Sequence, residues 1–157
     1  TAIWFVQIYG KEARLIDHYE MSGEGIEHYL WVIKNKGYKY WTHYLPHDIK
    51  VREYTSWESR YDYLRRQWIN NIEVVEKLWV QEGIDSARRA FKNCWFDESK
   101  CERWLNCPGS YHKDYDEKNQ IAMSSPNSAD AFRYFAVTYE KLVAPTQKTR
   151  VITPSYI

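Results

Sequence analysis

The opening stretch of the chain restricts what it can fold into more than any other part. Ile3 to Tyr9 is an almost unbroken apolar run, interrupted only by Gln7, and Ala13 to Glu20 is an alternating segment. Gly10-Lys11 between them is a turn signal, so the two runs read as an antiparallel hairpin. Side chains alternate along a strand, which predicts Ala13, Leu15, Asp17 and Tyr19 on one face.

The rest of the pattern alternates helix and strand. Ser22-Gly23-Glu24-Gly25 opens a helix on which Ile26, Tyr29, Leu30 and Ile33 form one apolar stripe, and Gly37 stands where a C-terminal glycine belongs. Tyr38 to Leu45 returns to a strand pattern and stops at Pro46-His47-Asp48. Ser56 is expected to cap a helix carrying Trp57, Tyr61, Leu64 and Trp68. A short strand around Val74 to Trp79, a helix from Ile84 to Lys92 and a short helix from Asp97 to Leu105 follow. Tyr111 to Met123 is polar, either strand or ordered loop. Ser128 is expected to cap a last helix bearing Ala129, Phe132, Ala136 and then Tyr139 or Glu140. The tail from Thr146 is mostly unstructured or an added strand. A hairpin followed by alternating elements predicts an α/β layered domain with a mixed sheet. Such sheets carry their functional residues at strand ends and adjoining helix starts.

Composition narrows the function classes. At 157 residues one domain is the default. With 22 basic and 21 acidic residues the net charge is +1, which excludes a histone-like tail or a strongly acidic chaperone. Pro and Gly are few and aromatics reach 17%, which excludes a disordered or fibrous chain. No apolar run is long enough to span a membrane, and no secretory signal is visible. Thr1 opens in the middle of a strand-like run without an initiator Met, so the chain reads as a cut fragment. Three cysteines, Cys94, Cys101 and Cys107, fit free thiols in a reducing compartment. Their spacing lacks the close pairs of a zinc site, even with His112 as a fourth ligand, and Cys101, Trp104 and Leu105 read as packing residues of a short helix.

Two carboxylates stand out as candidates for chemistry. Asp48 follows a strand and a proline, which brings it and His47 to one rim of the sheet. Asp130 lies in the first turn of the last helix, where the macrodipole favours a carboxylate, although Asp is also simply a good first-turn residue. Two carboxylates brought together from distant sequence repel, and a divalent cation relieves the repulsion. Mg2+ needs only two or three such oxygens when a phosphate completes its shell, and a pair of ions clamps both oxygens of a phosphodiester displacement. His47 and Asp17 are the supporting candidates, Asp17 with a solvated face or ion pair as its plainer reading. Arg65 and Arg66, Arg88 and Arg89, and Lys113 and Lys118 among tyrosines form basic patches that can hold DNA phosphates, or are ordinary helix surface. No Walker loop, GxSxG or HExxH spacing is present.

Six stretches, in order, carry a family resemblance: T-A-I-W-F-V-Q, R-L-I-D-H-Y-E-M-S-G-E-G, H-Y-L-P-H-D, V-Q-E-G-I-D-S-A-R-R, C-W-F-D-E-S-K-C and S-A-D-A-F-R-Y-F-A-V. Together they resemble the C-terminal nuclease domain of the large subunit of tailed-bacteriophage terminases, over almost the whole chain to about Val143. The resemblance implies a ribonuclease H-like α/β fold, a mixed five-stranded sheet flanked by helices, with residues 144–157 as a C-terminal tail. Asp48 matches the family's second metal-binding carboxylate and Asp130 its last, while His47 matches a residue beside the site. The family's first catalytic Asp lies on a central strand upstream of T-A-I-W-F, in a W-D-x-G-like sequence that this chain lacks. Asn127 also stands where family members often have His, and the segment around Ser124-Ser125-Pro126 is shorter.

What the resemblance implies is a metal-dependent endonuclease that cuts concatemeric viral DNA with Mg2+ or Mn2+, two ions in the intact domain. Its partners would be double-stranded DNA, an upstream ATPase domain of the same polypeptide, the phage portal and the small terminase subunit. It would work in the cytoplasm of the bacterial host, with no membrane. A different class of reading is a prophage remnant or fragment serving only as a DNA-binding or docking module; a resolvase of the same fold is a third. The separation of Asp48 and Asp130, and whether Arg or Lys pairs with them, discriminates the first two.

Overall fold

The computed structural model describes residues 1–51, 58–77, 79–105, 114–115, 121–122 and 127–143. The expected hairpin forms: β1 (Ala2–Tyr9) and β2 (Glu12–Glu20) run antiparallel around Gly10, whose φ of 60° is the left-handed conformation that glycine tolerates. One residue disturbs its ladder. Phe5 pairs with Asp17 and Val6 with Leu15, so Ile16 is an extra residue, a β-bulge. The predicted common face of Ala13, Leu15, Asp17 and Tyr19 is therefore broken in the middle, because a one-residue slip exchanges the two faces of a strand. Ala13, Leu15 and His18 share one face with Trp4, Val6 and Ile8, while Asp17 and Tyr19 share the other with Phe5 and Ile3.

A third strand, absent from the sequence reading, completes this sheet. β5 (Cys94–Phe96) pairs with β2 in parallel, giving the order β1-β2-β5. Its three residues sit between two helices, α3 (Val80–Phe91) and α4 (Glu98–Leu105), too short for alternation to reveal them. Asp97 follows directly and accepts from the amides of Ser99 and Lys100, both at 3.1 Å, capping α4.

The first core lies on the Leu15 face. There α3 and α5 (Asn127–Val143) cover the sheet, and Ala13, Leu15, Ala87, Ala90, Phe132, Phe135, Ala136 and Tyr139 form a single buried cluster. Trp104 of α4 stacks on Phe96 at 5.1 Å and meets Trp4 edge-on at 5.1 Å, closing one end of it. A second core holds Leu30 of α1 (Ile26–Asn35), Leu64 of α2 (Arg60–Arg66) and Ile69, with Leu45 of β3 (His43–Leu45) and Ile72 of β4 (Ile72–Val74) packed against them. β3 and β4 pair in parallel as a separate two-stranded sheet, and β6 (Asp114–Tyr115) pairs antiparallel with β7 (Ile121–Ala122) as another. Among the described residues β1 and β3 each have one strand neighbour, so each keeps one edge unpaired. Tyr40 bridges β1 and β3, its ring 6.1 Å from Phe5 of β1 and 5.3 Å from His43 of β3.

Several boundaries differ from the sequence pattern. The strand expected from Tyr38 is reduced to His43–Leu45, because Tyr38 and Tyr40 turn their rings onto Phe5 instead of entering a ladder. α2 starts at Arg60 with Ser59 as its cap, accepting from the Asp62 amide at 3.1 Å, and ends before Trp68, so Ile69 is buried and Trp68 is not. Ser56, Trp57, Cys107, His112 and the tail 144–157 lie outside the described residues. No described helix is long and apolar enough to cross a membrane.

The bulge leaves Asp17 buried, with its charge met by other elements. Lys36 Nζ lies 2.7 Å from Asp17 Oδ2, Tyr38 donates to the same oxygen at 3.1 Å, and Lys100 donates to Tyr38 at 3.0 Å. Removing one partner of such a pair strands the other charge, so Lys36→Met is expected to cost about 2–3 kcal/mol, the usual figure reduced for the half-open lysine. Urea denaturation should show Asp17→Asn/Lys36→Met recovering part of that loss. Burial pushes the Cys94 and Cys101 thiols up to about 11. Both are free, and the thiolate is the reactive form. Alkylation at pH 8 followed by mass spectrometry should leave both unmodified in the folded chain and label both in urea.

Candidate functional site

Asp48 owes its place to the proline before it. Pro46, extended with φ −66° and ψ 157°, ends β3 and starts a 3-10 turn, His47–Lys50, closed by bonds from Ile49 N to Pro46 O at 3.1 Å and Val51 N to Asp48 O at 3.0 Å. Ile49 anchors the turn in the second core, which leaves Asp48 exposed on the rim. His47 and Asp48 thus both lie on the turn that follows β3.

Asp130 is held by a different device. Ser128 was expected to cap the last helix, but α5 already begins at Asn127 and Ser128 lies inside it, 1% exposed. Its hydroxyl donates to Glu20 Oε2 at 2.6 Å and so accepts from His18 Nε2 at 2.7 Å. Trp4, whose ring lies 4.3 Å from that of His18, donates its indole N–H to the Ser128 carbonyl at 2.9 Å. The three bonds pin the first turn of α5 to β1 and β2. A serine, a histidine and a carboxylate adjoin here, yet the serine proton points to Glu20 and the hydroxyl is closed to solvent, so the trio is a fastener and not a nucleophile.

From that pinned turn Asp130 meets Arg133 one turn on, Oδ1 to Nη2 at 2.5 Å. Arg133 is a poor surface charge: its side chain is 18% exposed, and its Cδ lies 3.6 Å from where a Cβ on Gly83 would stand. The arginine stem thus lies against α3 at Gly83, in ordinary van der Waals reach of any Cβ there. Tyr134, the next residue, reaches across to β3. Its hydroxyl is 3.3 Å from His47 Nδ1. Burial raises its phenol pKa, the Asp48 and Asp130 carboxylates raise it further, and the Arg133 guanidinium opposes them. Asp48 and Asp130, 82 positions apart in sequence, thus act on one phenol.

The other candidate residues are elsewhere. Asp17 lies on the opposite face of the sheet from α5, neutralised by Lys36. Arg66 pairs with Glu58 at 2.5 Å, Arg88 with Asp85 at 3.3 Å and Arg89 with Glu140 at 2.9 Å. Arg65 lies over the Tyr61 ring, 6.0 Å from its centroid. Lys113 and Lys118 lie outside the described residues. Among the described residues no three His, Cys, Asp or Glu side chains form a group that could hold a metal ion. Asp48 and Asp130 offer the oxygen ligands that a hard divalent cation takes together with phosphate and water, and the elements that carry them meet where Tyr134 approaches His47. Arg133 was missed, although its i+3 spacing from Asp130 was a legible sign of a helix-surface ion pair. The Trp4–His18–Ser128–Glu20 fastener had no local signal, because its members are up to 124 residues apart.

No family model, curated protein or solved structure matches the chain.

Ser128→Ala tests the fastener. It removes one hydroxyl and with it a buried bond from His18 Nε2 and one to the Glu20 carboxylate, so a loss of about 1–3 kcal/mol is expected by chemical denaturation. A loss below a few tenths would show that α5 is held by its apolar face alone.

Proposed function

We propose that the chain is most of a metal-dependent endodeoxyribonuclease domain of a viral DNA-packaging terminase, with Asp48 and Asp130 as the metal-binding carboxylates. The observation that carries this reading is the contact between the two elements that bear them, the Tyr134 hydroxyl of α5 lying 3.3 Å from His47 Nδ1 of the Asp48 turn. The family resemblance supplies the substrate class. The ribonuclease H-like arrangement it implies requires a strand between β1 and β3. The unpaired edges of those two strands, bridged by Tyr40 and both flanked by α5, support that arrangement.

Divalent cations bound at such a pair would activate water and stabilise the leaving oxygen of a phosphodiester. The chain's own residues prepare for that. The fastener at Ser128 fixes the height of Asp130, and Pro46 with Ile49 fixes Asp48. His47 and Tyr134 keep the two elements in register through their shared hydrogen bond. Arg133 orients the Asp130 carboxylate, and would have to yield that oxygen to a cation. Double-stranded DNA, an upstream ATPase domain, a portal, a small terminase subunit and the host cytoplasm belong to the same proposal.

The Asp130–Arg133 pair favours a second reading, a docking or DNA-binding module in which that carboxylate is structural. Manganese separates the two. The nuclease reading expects Mn2+ uptake by titration calorimetry and plasmid nicking, both lost on Asp48→Ala or Asp130→Ala, with nicking reduced about 100-fold or more. Arg133→Met, which keeps the packed stem, should strengthen Mn2+ binding by releasing Asp130. Nicking indifferent to Asp48→Ala sinks the site. DNA binding without Mn2+ uptake, unchanged in Arg133→Met, establishes the module.

A further inference from the structure

Beside Asp48 lies a group of side chains that the carboxylate chemistry does not use. Lys50 ends the 3-10 turn that carries Asp48, two residues on, about 4 Å along the turn axis. Because such a turn has three residues per revolution, the two side chains leave it in different directions, and Lys50 goes toward α2. There its Nζ lies 5.5 Å from the centroid of the Tyr61 ring, and Arg65 of the same helix lies 6.0 Å from that centroid. Both cations are exposed, and neither has an anionic partner among the described residues. Their neighbour Arg66 shows the contrast: it too lies over an aromatic ring, Tyr63 at 5.9 Å, but its charge is spent on Glu58 at 2.5 Å.

Two like charges gathered on one ring repel each other, and the quadrupole of the ring offsets that only in part. An anion set against both relieves the repulsion. We infer that Lys50, Tyr61 and Arg65 form a phosphate cradle that seats the DNA backbone next to the Asp48 rim. The ring is already attended by cations, which suits it to hold them in place and not to stack a base. Arg65 offers a planar fork that matches phosphate oxygens, and Lys50 a point charge. Phosphates recur along one strand about every 3.4 Å of helix axis, so two cations that share one ring, 5.5 and 6.0 Å from its centroid, can meet phosphates of one strand. The choice of DNA as ligand rests on the nuclease reading above; the cradle itself needs neither metal nor cleavage.

The test is duplex binding by fluorescence anisotropy, in EDTA, over a series of salt concentrations. Each phosphate neutralised contributes about 0.9 to the slope of log affinity against log salt. Lys50→Ala and Arg65→Ala should each flatten the slope by about that amount, and the double variant by about twice it, equally for duplexes of unrelated sequence. Lys50→Arg should restore it. Tyr61→Leu keeps both charges but frees them, so it should lower affinity with little change in slope. Arg88→Ala, whose charge is already paired, should change neither. Circular dichroism shows whether each variant is folded, and the exposed Lys50 and Arg65 can be replaced without touching either core. A double variant with the parent slope overturns the inference, as does a parent chain that does not bind duplex at low salt. Polyglutamate bound as well as DNA with the same dependence on Lys50 and Arg65 also overturns it, by showing a reader of acidic protein. Loss of Mn2+-dependent nicking as a property of the chain, with this slope pattern intact, would fail the nuclease reading and leave the cradle standing.

Discussion

The extra residue at Ile16 decides how the hairpin is used. Ahead of it, Ala13 and Leu15 give β2 an apolar face for α5. Beyond it the same face is continued by His18, while Asp17 is turned to the far side. Without the bulge, strict alternation would put Asp17 under α5, against aromatic rings that offer a carboxylate nothing. With it, the strand delivers an imidazole to Ser128 and a carboxylate to Lys36, and both polar groups are satisfied. Two buried polar clusters, one on each side of the sheet, follow from a single unpaired residue.

The candidate site inherits its geometry from one of those clusters. α5 approaches β1 and β2 through an apolar face that would permit some sliding, and the bonds at Ser128 remove that freedom. Two residues later comes Asp130, then Arg133, then Tyr134, so the fastened turn fixes a carboxylate, its countercharge and a phenol together. On the other side, Pro46 and Ile49 fix Asp48 by ordinary turn geometry and apolar burial. Asp48 sits on a hydrogen-bonded 3-10 turn and Asp130 in the first turn of a helix, elements whose backbones are fixed by their own bonds.

Local signals made much of this legible. Gly10 and Gly37 marked a turn and a helix end, and both have positive φ. The apolar stripe on α1, the proline stop after Leu45 and the last helix were readable because each is encoded within one turn or one strand. Three things were not. The bulge is set by how two strands meet, and no run of residues in β2 announces it. β5 is three residues long, below the length at which alternation can be distinguished from a helix flank. Ser128 looked like a cap because serine before an apolar helix usually is one, and only the distant His18 and Glu20 show that its hydroxyl is committed elsewhere. For the site, the positions of Asp48 and His47 were plain from the strand end, whereas the pairing of Asp130 with Arg133 required choosing between two readings that spacing alone allows.

Among the described residues the outer side of β1 has no strand partner. Its eight residues, Ala2 to Tyr9, include no charge and no proline, and no second bulge interrupts the strand. Those are the features with which natural sheets discourage edge-to-edge association. A strand edge of this composition is open to pairing. Left bare at high protein concentration, it offers a row of amides and carbonyls that another copy of the same strand can satisfy, and the first sign of an uncovered domain would be fibrillar or sheet-like self-association, not loss of fold.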